Sequence, residues 1–175
     1  MPFPELSPDH RESILRHDWW GHDGRWYMFV ANELGFHKAN EMNMAINKAV
    51  GKLEINNLMA LSGISQELRQ LDLIEILRLN LELCAKDVFG LKELVEEGGD
   101  FIMRIDSCPA HSGTQKAGYT SDYECACFKR AEGWFEALGV NGTSFIRKSL
   151  VRGDEFCEVV IRSANVDGLS TEVVQ

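Results

Sequence analysis

Gly98-Gly99-Asp100-Phe101-Ile102-Met103-Arg104-Ile105-Asp106 separates two textures of the chain. Phe101–Ile105 is a compact apolar run that reads as a strand. Upstream of it the pattern is helical almost throughout. Ser7-Pro8-Asp9 is a helix start, with Pro8 suited to a first turn and Asp9 to Glu12 spaced as a capping box. A first helix is predicted from about His10 to Leu34, stopped by Gly35. A second runs from about Lys38 to Leu61, with Ala39, Met42, Ile46, Leu53 and Leu58 near helical spacing, and ends at Gly63. A third follows Ser65 and carries Leu68, Leu71, Ile74, Leu77, Leu81 and Cys84, and a short helical piece, Leu91 to Glu97, leads into the double glycine.

Downstream, residues 112–121 have the composition of a loop. Ser121 or Asp122 can cap a helix from about Tyr123 to Leu138 that Gly139 ends. Gly142 to Val151 and Glu155 to Arg162 read as strands joined by Arg152-Gly153-Asp154. The expected architecture is α+β, a helical N-terminal layer packed on a small antiparallel sheet. It forms one domain over 1–175: a mainly helical part to residue 98, a strand-helix-hairpin part over 99–164 and a tail over 165–175.

The 175 residues are 45% hydrophobic and 26% charged, a composition that supports a core without disulfides. A net charge of −9 leaves no electrostatic footprint for a phosphate backbone, so no nucleic-acid partner is expected. Apolar runs are a few residues long, far short of the roughly 18–20 that span a bilayer, and the first residues lack a leader pattern. A cytosolic protein with no membrane partner is expected, its five cysteines held as thiols.

The most unusual segment is Arg16-His17-Asp18-Trp19-Trp20-Gly21-His22-Asp23-Gly24-Arg25-Trp26-Tyr27. Two glycines inside a predicted helix cost about 1 kcal/mol each relative to alanine, so something must approach that backbone closely. A neighbouring piece of the same chain and a bound guest both meet the requirement. Asp18 and His22, four apart, share one face, with Trp19 and Trp26 beside them. A carboxylate that holds one imidazole nitrogen leaves the other free as base or donor. Trp19, Gly21, Gly24 and Trp26 are the candidate ligand walls, with Asp23 a second carboxylate next to the imidazole.

The second constellation is Cys108, His111, Cys125, Cys127 and Cys157. Cys108, His111, Cys125 and Cys157 supply the soft sulfur and nitrogen ligands that zinc takes in a tetrahedral site. Cys125 and Cys127 lie about 200° apart on a regular helix and reach one point only at an irregular helix start. Core thiols, a metal site and a reactive cysteine all remain open from the residues. Phosphate-binding glycine loops and a GxSxG elbow are absent.

Asp18–Tyr27, followed by Phe36-His37-Lys38-Ala39-Asn40-Glu41-Met42-Asn43, resembles the His-Asp-Gly-x-Trp-Phe and Ala-Asn-Glu signature of a bacterial and archaeal family. That family is similar to L-2-aminothiazoline-4-carboxylate hydrolase and, more remotely, to 4-vinyl-reductase (hydrocarbon-binding) domains. Cys108 after a strand, Cys125 or Cys127 next, then Gly153-Asp154 and Cys157, agree with its later pattern. The resemblance implies an α+β fold, a homodimer and a pocket for a small molecule. Where the family is hydrolytic, the reaction is ring opening of a cyclic amidine by water. The leading expectation is a small-molecule-binding, hydrolase-like protein with His22 as general base, oriented by Asp18 or helped by Asp23. The alternatives are a non-catalytic ligand-binding or sensory module, and a structural metal-binding interaction protein.

Overall fold

The computed structural model of the chain describes residues 5–64 and 73–163. Helix α1 spans Pro8–Leu34; Ser7 caps it, its hydroxyl accepting from the His10 N–H at 3.3 Å, and Pro8 occupies the first turn. Gly35 then adopts φ +82°, and α2, Phe36–Ser62, turns back against α1. Gly63, at φ +71°, stops α2 in the left-handed conformation. The described part of the third helix, α3, is Leu73–Ala85; the expected start after Ser65 lies outside the described residues.

Strand β1, Leu91–Glu97, corrects the helical expectation for that segment. Leu91, Leu94 and Val95 fit a helical spacing, but tertiary pairing overrides it. Gly98 and Gly99 both have positive φ, +60° and +83°, and close a tight hairpin onto β2, Asp100–Ile105, with Leu94 opposite Met103 and Val95 opposite Ile102. The double glycine is therefore a turn within the sheet rather than a border between textures.

Helix α4, Pro109–Ala117, replaces much of the expected loop: extended Cys108 precedes it, Pro109 takes the first turn and Gly118 ends it at φ +78°. Helix α5, Cys127–Leu138, starts four residues later than predicted and has no side-chain cap. Strands β3, Gly142–Lys148, and β4, Cys157–Ser163, follow, joined through a turn of 3₁₀ helix at Leu150–Arg152. The sheet order is β1-β2-β4-β3, antiparallel throughout. This is the expected α+β arrangement of helices on a small antiparallel sheet.

Phe101, Met103 and Ile105 of β2 and Val159 and Ile161 of β4 form the inner face and pack with Ile55, Leu77 and Trp134. The opposite face carries Arg104 and Arg147 on the buried Glu158. Hydrogen bonding, from Arg147 above all, holds that carboxyl at about 2. Helices α2 and α5 approach closely because both have a glycine at the crossing. A Cβ at Gly51 would strike the Arg130 carbonyl, and one at Gly133 the Lys48 carbonyl.

Candidate functional site

The α1–α2 pair does not close onto the sheet everywhere. Between α1, α2, the end of α3, the inner face of β2, α4 and the start of α5 lies a cavity of about 640 Å³ with a predominantly apolar wall. Its size lies within the range of small-molecule sites. Trp20 forms one side, fixed by its indole N–H donating to the Cys84 carbonyl at 2.8 Å and by an edge-on contact with Phe89. Gly21 and Gly24 border the same space. A Cβ at Gly24 would meet no atom within 4 Å, and one at Gly21 only the end of the Arg25 side chain. These two glycines, unlike Gly51 and Gly133, are not sealed by neighbouring backbone.

Arg130 supplies a buried cation at the wall, which Arg25 and Asp23 also border. Its guanidinium bonds Glu54 at 2.9 Å and lies over the Trp20 ring, while the Trp134 indole N–H donates to the same carboxylate at 3.0 Å. Half-buried Asp23 also faces the cavity; burial raises its pKa, opposed by the charges of Arg130 and His22. Tyr27, Asn40 and the segment after α4 brace the far end. The Tyr27 hydroxyl donates to Asn40 Oδ1 at 2.7 Å, the Glu124 N–H donates to the same oxygen at 3.1 Å, and Asn40 Nδ2 donates to the Asp122 carbonyl at 2.8 Å. The Ala-Asn-Glu motif thus contains a buried clamp.

Of the residues singled out in the sequence, Gly21, Asp23, Gly24, Cys108, Cys125 and Cys127 border the cavity. Asp18, Trp19, His22 and Trp26 do not; all four are exposed, on the outer face of α1. His22 and Gly24 are two residues, hence about 200°, apart on the helix, so one face cannot hold both. Cys157 is buried in the core, where its sulfur accepts from the Leu150 N–H at 3.3 Å, and His111 is not part of the cavity wall. Among the described residues no group of three or more His, Cys, Asp or Glu side chains is arranged to hold a metal ion. The set Cys108, His111, Cys125 and Cys157 is accordingly not assembled as a zinc site.

Sequence reasoning missed Trp20, Arg130 and Tyr123 as wall residues. Trp20, Gly24 and Met28 recur at four-residue spacing, which was the available signal. The two sulfurs of Cys125 and Cys127 lie 3.3 Å apart because α5 begins only at Cys127, leaving Cys125 outside the regular helix.

Comparison of the sequence with protein-family models and with curated proteins gave no match. Solved structures share the fold. A trafficking protein particle complex subunit 3 from Naegleria fowleri, covalently bound to palmitic acid, superposes with a TM-score of 0.59 at 12% identity, over 87% of this chain and 95% of that one. The phenol-responsive sensory domain of the transcription activator PoxR, with phenol, gives 0.56 at 12% identity, over 80% of this chain and 72% of that one. No helix of the described residues is long and apolar enough to cross a membrane.

Proposed function

We propose that this chain is a non-catalytic binding module whose cavity takes an apolar or aromatic molecule carrying one polar end. The observation that carries this reading is the open apolar space beside Gly24. Asp23 offers an acceptor for a hydroxyl, while Arg130, already paired with Glu54, contributes a flat cationic surface. Phenol and palmitic acid, named with the two structural neighbours, are both apolar bodies with a single polar group. The hydrolytic reading would require His22 to present a base to the guest, and its exposed position outside the cavity wall argues against that role.

Trp20 and Trp134 lie in the wall, so occupancy is read directly from tryptophan fluorescence. Saturable quenching or a spectral shift with 1-naphthol is expected, with calorimetry giving the stoichiometry. His22→Ala binds as tightly as the parent. Loss of binding in that variant, or turnover of a cyclic amidine that disappears with it, would overturn the reading.

The partner belongs to the same proposal: a second copy of this chain, meeting through the outer face of α1. Leu15, Trp19, His22 and Trp26 recur at spacings of four and three and form one stripe, which Phe29, also a cavity-wall residue, continues. Leu15 is 68% exposed, Trp19 47%, Trp26 49% and Phe29 70%. Asp18 and Arg25, seven residues apart, share one shoulder of that stripe, where Arg25 also borders the cavity and donates to the Gly21 carbonyl at 2.9 Å. In an antiparallel two-fold pairing centred near His22, Asp18 of one copy meets Arg25 of the other, so the face is complementary to itself.

A further inference from the structure

Reversible binding leaves unused the most reactive feature of the cavity, the pair of thiols where α5 begins. We propose that Cys125 is a covalent-capture site for apolar α,β-unsaturated carbonyl compounds, with Cys127 delivering the proton that completes the addition. The inference rests on the cavity being open to apolar molecules.

Cys125 and Cys127 both line the cavity, with sulfurs 3.3 Å apart. Cys125 lies one residue before Ala126, the N-cap of a 12-residue helix whose N-terminus has no side-chain cap, so the positive end of α5 is available to a thiolate. The Cys127 thiol and its backbone N–H both favour the Cys125 thiolate, and Arg152 adds positive charge; against burial, these lower the Cys125 pKa to about 7. Cys127 is displaced upwards and remains the proton donor. Cys84 and Cys108 also border the cavity, but burial pushes each up to about 12, so they stay protonated. The wall therefore holds one thiol of lowered pKa, one adjacent proton donor and two thiols that stay protonated.

That set matches conjugate addition. The Cys125 sulfur lone pair forms an S–C bond at the β-carbon, and the C=C π pair moves towards the carbonyl as an enolate. The Cys127 S–H protonates the α-carbon, and the resulting Cys127 thiolate recovers its proton from solvent. There is no leaving group and no external oxidant or reductant. The predominantly apolar wall suits an uncharged electrophile.

At pH 7 a thiol of pKa about 7 is half ionised, about fifteenfold more than a free cysteine at about 8.5. The lower basicity removes about fivefold of that gain, leaving roughly threefold in intrinsic rate. The pH profile is therefore a sharper readout than the rate. The whole protein is incubated with 2-cyclohexen-1-one across neutral pH and analysed by intact mass and peptide mapping. A single adduct on Cys125 is expected, with a rate midpoint near pH 7, saturation in enone and slowing by excess 1-naphthol. In Cys127→Ala the adduct remains on Cys125, but the midpoint moves up towards about 8.5. Cys125→Ser forms no adduct. Adducts on Cys84 or Cys108, or a profile matching free cysteine, would overturn the inference. Binding of 1-naphthol without adduct formation overturns this inference alone; failure of 1-naphthol to bind overturns the cavity reading.

Discussion

Gly24 and Gly133 are both helical glycines, and they exist for opposite reasons. Gly133 lets α5 lie against the α2 backbone, whereas a side chain at Gly24 would project into empty space. Gly133→Ala should destabilise by about 1–3 kcal/mol, the ordinary penalty for overpacking a tight contact, measured by urea unfolding. Gly24→Leu should leave stability unchanged or raise it by up to about 1 kcal/mol through helix propensity. It should also weaken 1-naphthol binding at least tenfold, because the leucine occupies the guest's volume. A Gly24→Leu protein that unfolds more readily and binds normally would reverse the assignment of the two glycines.

Elements around the cavity are held by few polar ties, and Asn40 is the most consequential. It joins α1 through Tyr27 and the segment before α5 through Asp122 and Glu124, while sitting on α2. Its Ala variant leaves the half-buried Tyr27 hydroxyl, the Asp122 carbonyl and the Glu124 N–H without that partner. At about 1 kcal/mol for each net hydrogen bond the loss is about 2–4 kcal/mol. Hydrogen exchange should show the effect confined to residues 119–126 and the middle of α1, with the sheet protected as before. Uniform loss of protection would mean that Asn40 supports the whole core rather than this wall. The motif containing it was legible from the sequence, but its role was not: an asparagine beside a tyrosine in space, 13 positions away in the chain, is a product of the α1–α2 turn.

For the whole molecule, the outer stripe of α1 makes the oligomeric state the decisive measurement. Sedimentation equilibrium should show a dimer that Asp18→Arg alone and Arg25→Asp alone both weaken, each by roughly tenfold, a penalty of about 1.4 kcal/mol. The double exchange should restore association, since like charges become opposite again across a two-fold axis. Trp26→Glu should give monomers that retain 1-naphthol binding. A parent protein that remains monomeric at all concentrations, or a double exchange no better than either single change, would remove the second copy as the occupant of this face.

Local chemistry was enough to identify most elements. Proline and serine start α1, glycines at positive φ end α2 and α5, and the apolar run 101–105 forms a strand, because each depends on residues within a few positions. Leu91–Glu97 escaped that logic, since its partner strand supplies what its own propensity lacks. The inward face of α1 escaped it more completely. Trp19 and Trp20, and again Trp26 and Tyr27, place aromatic residues on neighbouring faces, so hydrophobic pattern alone gives no phase for the helix. Only the packing of α1 against α2 and around the cavity turns Trp20 and Gly24 inward and leaves Trp19, His22 and Trp26 outside. Burial is a property of the assembled layers, and two apolar faces on one helix compete for it until those layers meet.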